Sequence, residues 1–198
     1  MKYIIIVCVL GLTACANPNG ETASELNASY EAALLRTAPG SALFAADSVA
    51  EEELLARLQA YFASMTPASV AEQTSAVYAE DAYLYDNVVA VRGVEAIRGY
   101  LLKAAQDVQE LRVEFLSVAR ADRDYYIRWK MTIRSDALSD GDPLVSYGVT
   151  QFRFDKNGRV LLHRDFWDAS TGLYEYLPVV GGWIQRVRAA LGSHAEAG

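Results

Sequence analysis

Two stretches of this chain place ionisable side chains at alternating positions, and a pleated strand turns such positions to a common face. Over 124–135, Tyr126, Arg128, Lys130 and Thr132 share one face, while Ile127, Trp129, Met131 and Ile133 share the other. Over 159–168, Leu161, His163, Asp165 and Trp167 fall together. Cations beside a carboxylate suit a polar network inside a pocket; Arg128, Lys130 and Arg134 equally suit a solvated outer face. Alternation alone does not choose between them. His163 is the lone histidine of the folded stretch, and without a Gly-x-Ser-x-Gly element a Ser-His-Asp hydrolase has no support. With two Cys and two His in the chain, neither a metal site nor a disulfide framework is expected, and no cofactor is implied. Tyr61, on an apolar helical stripe, fits either a core phenol with a satisfied hydroxyl or a catalytic donor. Trp129, Trp167 and Tyr83 either line a pocket or fill core.

The elements that must position these residues are legible from periodicity and punctuation. Ser48-Val49-Ala50-Glu51 has the capping-box pattern, and Leu54, Leu55, Leu58, Tyr61, Phe62 and Met65 then give residues 49–65 one apolar face. Thr66-Pro67 ends that helix and opens a second, to about Val77. A short strand at 82–86 and an extended return at 88–92 precede a third helix, opened by Gly93, with Val94, Ile97, Leu101 and Ala104 on one side. Long strands follow over 111–120, 124–135, 144–155 and 159–168. The last two are joined by the hairpin signal Asp155-Lys156-Asn157-Gly158. Residues 171–178 read as irregular or helical. Trp183, Ile184, Val187 and Leu191 mark a short amphipathic C-terminal helix. Helices followed by an antiparallel meander predict an α+β fold: a cone-shaped, strongly curled antiparallel sheet wrapped over N-terminal helices. The open end of such a cone is a natural ligand pocket.

Composition agrees with one packed domain. Hydrophobic residues make up 52% of the 198, and the formal net charge is −7, so a phosphate-backbone partner is not expected. Met1-Lys2 and the apolar run 3–12 suit a secretory signal, being well short of the ~20 residues that span a bilayer. Leu12-Thr13-Ala14-Cys15 resembles a bacterial lipobox, which makes residues 1–14 a lipoprotein signal peptide and Cys15 the lipidated first residue. The expected location is the bacterial cell envelope, lipid-anchored. In a Gram-negative host, Ala16 after the cysteine resembles outer-membrane sorting on the periplasmic side. Residues 15–47, punctuated by Asn17-Pro18-Asn19-Gly20 and Thr37-Ala38-Pro39-Gly40, read as a flexible tether with a short Ala/Leu/Glu segment of helical character between those turns. The domain then runs over 48–192, and 193–198 read as a disordered tail.

Tyr78-Ala79-Glu80-Asp81-Ala82-Tyr83-Leu84-Tyr85-Asp86, followed by Arg92-Gly93-Val94-Glu95-Ala96-Ile97, resembles the opening of SnoaL-like domains. Gly158 to Asp168 is similar to their last strand, and Tyr174 to Gly181 extends the match. These domains belong to the nuclear transport factor 2-like superfamily, together with ketosteroid isomerase and limonene epoxide hydrolase. The resemblance implies the cone fold and turns Arg128 and Asp165 into its pocket. Of the epoxide hydrolase pattern, Arg128 matches the bridging arginine and Asp165 one of its two carboxylates. Lys130 stands where the other carboxylate belongs, Asp86 replaces an Asn and Leu84 a Tyr. Of the isomerase pattern, Asp86 matches the general base and Tyr61, allowing one inserted residue, the oxyanion-hole phenol. Thr150 replaces the protonated acid.

Two functions therefore stand open. One is a lipid-anchored cup that binds a small, mostly apolar molecule without chemistry, favoured because each enzyme pattern lacks a part. The other is an isomerase, hydrolase or cyclase using Asp86 or Asp165 as base, with Arg128 bridging Asp165. Tyr61, Tyr83, Lys130, Thr150, His163 and Trp167 are the candidate ligand contacts. The resemblance also implies a homodimer through the outer sheet face, where Ile127, Trp129, Met131 and Ile133 are expected to lie.

Overall fold

A computed structural model describes residues 20–177 and 179–193; the expected signal peptide over 1–14, Cys15 and most of the expected tail lie outside the described residues. Helix α1 spans Ala23–Thr37, α2 Val49–Ala63 and α3 Pro67–Val77, followed by strands β1 (Tyr78–Tyr85) and β2 (Ala90–Arg92). Helix α4 (Val94–Gln106) leads into β3 (Glu110–Ala121) and β4 (Asp124–Arg134). Beyond the short helix α5 (Asp136–Ser139) come β5 (Pro143–Phe154) and β6 (Val160–Trp167). Helix α6 (Ala169–Gly172), a 3-10 turn (Tyr174–Tyr176) and helix α7 (Val180–Ser193) close the chain.

The strands form one six-stranded sheet in the order β2-β1-β6-β5-β4-β3. The sheet is mixed rather than wholly antiparallel, because β1 runs parallel to β6. Parallel neighbours need a long crossover, and the whole run from β2 to β5 supplies it. Leu54, Leu58, Tyr61 and Phe62 of α2 and Ile97 and Leu101 of α4 pack against Ile127, Phe152 and Phe154 on the concave side. The hairpin into β6 turns at Gly158, at φ +73°, where a Cβ would stand 2.5 Å from Arg57 Nη2 and 2.7 Å from Leu54 Cδ1. Glycine is required there both for its backbone freedom and for the close helix contact.

Local signals hold with one exception. Thr66 caps α3, and its hydroxyl accepts from Ser69 N at 3.1 Å. At α2 only half of the expected capping box forms. Ser48 Oγ accepts from Glu51 N at 3.3 Å, but the Glu51 carboxylate turns away. It accepts from Tyr125 Oη at 2.9 Å, from Arg120 Nη1 at 2.9 Å and from Asp47 N at 2.8 Å. The Ser48 N–H, which a full capping box would direct to Glu51, donates instead to the Ala45 carbonyl at 3.2 Å, and the buried carboxylate takes charge-assisted partners.

The stretch expected to be a flexible tether contains α1, which docks on the convex face of the sheet. Ala33 and Thr37 are buried, the Tyr30 hydroxyl donates to Gln151 Oε1, and Arg153 Nη1 donates to the Leu34 carbonyl at 2.7 Å. Arg153 is held in turn by Asp124 at 2.5 Å. The Arg164 guanidinium lies 3.7 Å from the centre of the Tyr85 ring and 5.6 Å from that of Tyr30. Small and aromatic positions in a segment punctuated like a linker are what pin it down.

Candidate active site

Inside the cone is a cavity of about 310 Å³ with walls of Leu, Val, Met, Phe and Trp side chains. Strand register builds its polar end. Thr150 pairs with Asp165, Phe152 with His163 and Gly148 with Trp167 across β5 and β6, while Trp129 pairs with Gly148 from β4. The Trp129 indole folds over Gly148, where a Cβ would lie 2.3 Å from its ring and 2.8 Å from Trp167 Cβ, and the Trp167 indole folds over Gly172, where a Cβ would lie 2.6 Å from its ring.

A chain of hydrogen bonds converges on Asp165. The Trp129 indole, which can only donate, gives its N–H to Thr150 Oγ1 at 2.7 Å, and Thr150 passes its own proton to Asp165 Oδ1. His163 Nε2 lies 2.9 Å from the same oxygen, and His163 Nδ1 is 2.7 Å from Tyr78 Oη. Complete burial holds the Tyr78 phenol well above its usual pKa, and the nearby Tyr61 and Asp165 add to the shift. A carboxylate can only accept, so with Nε2–H facing Asp165 a neutral imidazole leaves Nδ1 as acceptor, and the protonated Tyr78 hydroxyl donates to it. Among the described residues no hydrogen bond engages Asp165 Oδ2.

Asp86 stands just past β1 in the same cavity. Its Oδ1 accepts from Val88 N and Val89 N, each at 2.9 Å, and its Oδ2 accepts from the Tyr100 hydroxyl. Burial raises the Asp86 pKa, and the charge of Asp165 raises it further, against the lowering effect of those three donors. Two cross-links brace this corner: Trp167 Nε1 donates to the Asp86 carbonyl at 2.8 Å, and Asn87 Nδ2 donates to the Trp167 carbonyl at 2.9 Å.

The structure thus brings Asp86, Thr150, His163, Asp165 and Trp167 together, and it corrects five expectations. Arg128 is exposed on the convex face, its Nε donating to Ser117 Oγ at 3.3 Å; it does not bridge Asp165. Lys130 shares that outer face, two residues along β4. Trp129, Met131 and Ile133, expected to face outward as a dimer surface, line the cavity, and Ile127 is fully buried in the core. The alternation is right and its sense is inverted: the cone's interior takes the apolar row, since water must leave it. Tyr61 is a core phenol bonded to Thr74 Oγ1 at 2.8 Å, its pKa pushed up to about 12 chiefly by burial. Tyr83 packs beneath α1 with Ala33 and Leu162. Two participants escaped the sequence reading, Tyr78 and Tyr100. Tyr100 could have been found, because a phenol beside Ile97, Leu101 and Ala104 on an apolar helix stripe needs a partner.

The cavity thus lies inside an α+β cone, with the carboxyl groups of Asp86 and Asp165 set among largely apolar walls. The sequence profile of the SnoaL-like domain matches residues 58–163, and the chain belongs to that family. Among solved structures it is similar to a LEH-like epoxide hydrolase of M. tuberculosis, with 15% identity and a TM-score of 0.51 over 64% of this chain and 90% of that one. It is also similar to a protein of ketosteroid isomerase-like fold from Catenulispora acidiphila DSM 44928, solved with trimethylamine. That match has 16% identity and a TM-score of 0.52, over 61% and 89% of the two chains. A protein of Shewanella putrefaciens CN-32, provisionally assigned as a SnoaL-like polyketide cyclase, gives 19% identity and a TM-score of 0.52 over 63% and 94%. At such identities the likeness is one of fold. No curated protein matches the chain.

Proposed function

We propose that this chain is an acid–base enzyme of isomerase or cyclase type acting on a small, mostly apolar carbonyl compound. The observation that carries the reading is the asymmetry of the two acids sharing one cavity. Asp165 accepts from Thr150 and His163 through Oδ1 and keeps Oδ2 clear of any hydrogen bond among the described residues, while burial, with Asp165 nearby, raises the Asp86 pKa toward its neutral form. Environments that push two neighbouring acids apart separate a base from an acid. Asp165 Oδ2 takes the proton from the carbon beside the carbonyl, the C–H electron pair moves toward oxygen, and Asp86 gives its proton to that oxygen. Asp165 then returns its proton to another carbon of the enol as the enol O–H proton goes back to Asp86, giving an isomer; or the enol carbon attacks a second carbonyl of the same molecule, whose oxygen takes the proton from Asp165 while the enol O–H proton returns to Asp86, closing a ring. The apolar walls admit the carbon skeleton and exclude water.

Deuterium exchange beside the carbonyl of apolar cyclic ketones, followed by NMR in D2O, tests this. The native chain should accelerate exchange, and Asp165→Asn and Asp86→Asn should each lower the rate by about 10²–10⁴. Quenching of the Trp129 and Trp167 emission reports binding independently. Saturable quenching with no acceleration for any ketone tried would favour the second reading, a non-catalytic binding cup, which the near-wholly apolar wall supports. We further propose, from Leu12-Thr13-Ala14-Cys15 alone, that the domain is held at a membrane by lipid on Cys15.

A further inference from the structure

Helix α7 presents an apolar stripe that no other described element covers. Val180, Trp183, Val187 and Leu191 recur at spacings of three and four, and they are 45%, 63%, 56% and 69% exposed. At about 100° per residue, Arg186 and Arg188 fall on opposite flanks of that stripe. Arg186 lies 5.9 Å from the centre of the Trp183 ring, and Arg188 pairs with Glu175. Residues 180–193 hold no acid, in a chain of net charge −7. Its main neighbour is the 3-10 turn at Tyr174–Tyr176. Among the described residues no helix is long and apolar enough to cross a membrane. An apolar stripe with an indole and flanking arginines is instead the pattern of a helix lying in the plane of a bilayer surface.

The placement of α1 adds an independent constraint. Its first half stands at the Phe166 end of β6, with Tyr30 and Phe166 ring centres 6.4 Å apart. Its C-terminal end lies at the opposite end of that strand, where Gly40 approaches Leu161. The start of α1 and the start of α7 therefore share one end of the sheet. The exposed residues that line the cavity, Val88, Asp107 and Ala137, belong to loops and a short helix at that same end. From Cys15 to the α1 cap at Thr22 the chain can reach at most about 25 Å. A domain lipidated at Cys15 is thus held close to the bilayer by that end.

We propose that α7 seats its Val180–Trp183–Val187–Leu191 stripe in the headgroup region of an anionic bilayer, Arg186 and Arg188 meeting phosphates, with the cavity mouth toward the membrane. The docking stands on α7 itself; the direction of the mouth rests on the proposed Cys15 anchor. An apolar ligand dissolved in the lipid would then enter without crossing water.

The test uses the full chain and its Cys15→Ser form with vesicles of brominated phosphatidylcholine, with and without phosphatidylglycerol. Trp183 emission should be quenched in both forms, and the quenched component should vanish in Trp183→Phe. Val187→Glu with Leu191→Glu should abolish quenching at unchanged far-ultraviolet circular dichroism. Each of Arg186→Glu and Arg188→Glu should weaken binding to phosphatidylglycerol vesicles about fivefold or more. Trp183 left unquenched in both forms would overturn the docking, whatever Cys15→Ser does to fractionation. A chain that is dimeric by light scattering and becomes monomeric on Val187→Glu with Leu191→Glu would overturn it too, assigning the stripe to a second copy.

Discussion

Asp86 carries a cost that its chemistry requires. Its folded pKa is raised, chiefly by burial, so the native state holds a proton more tightly than the unfolded chain does. Between the unfolded value, about 3.9, and the raised folded value, stability therefore falls as pH rises, and above both it stays at the lower level. Asp86→Asn removes that loss. We expect its melting temperature at neutral pH to exceed the native one, by about 2–4 °C per kcal/mol recovered, with proton transfer largely abolished. Differential scanning calorimetry across pH 4 to about 8 reads it, and a gap between Asp86→Asn and the native chain that does not widen as pH rises through this window would refute the shift. Tyr78→Phe acts differently. His163 Nδ1 loses its donor, the imidazole is free to take the other tautomer, and turnover should drop while ligand-induced tryptophan quenching persists. Of these residues Asp86, Thr150, His163, Asp165 and Trp167 were legible from alternation and resemblance. Tyr78 was not, because a residue at the α3–β1 junction has no periodicity to assign its face.

At the scale of elements, the instructive error lies in β4. Alternation separates its two rows, but the resemblance that turns Arg128 inward places the wrong row inside, and an offset of one residue reverses every side chain on a strand. The chemistry of the rows decides it better: Ile127, Trp129, Met131 and Ile133 can leave water together, whereas Arg128 and Lys130 cannot. Arg128→Leu should accordingly change stability by no more than about 0.5 kcal/mol and act additively with Asp165→Asn in a double-mutant cycle. Gly148→Ala should be far more disruptive. The new Cβ meets the Trp129 ring at 2.3 Å, so that indole must move, which typically costs about 1–3 kcal/mol. Trp129 then loses its aim at Thr150, and urea unfolding together with ketone titration should show lower stability and weaker binding at once. Strand lengths and the hairpin at Gly158 were readable because turn chemistry is local; the parallel pairing of β1 with β6 was not, because it depends on the chain's return across the whole sheet.

At the scale of the whole molecule, the segment before Val49 changes character once α1 is placed. A loose tether would let the domain range freely, but Arg153, Arg164 and Gln151 hold α1 on the sheet and leave a short run between Cys15 and Thr22. Attachment and orientation are then separable. Lipid chains on Cys15 would give a firm anchor insensitive to salt, while the short apolar stripe of α7 would give only a weak hold that leans on its arginines, whose contribution salt screens beyond about 8 Å at physiological ionic strength. Cys15→Ser should thus move the protein from a fraction resisting high salt to one that sediments with membranes only at low salt, and should abolish labelling by a fatty-acid probe. Adding Arg186→Glu and Arg188→Glu to Cys15→Ser should release the protein at any ionic strength. If Cys15→Ser leaves fractionation in high salt unchanged, Cys15 is not the anchor, and the short reach from it to α1 no longer bears on which way the cavity faces.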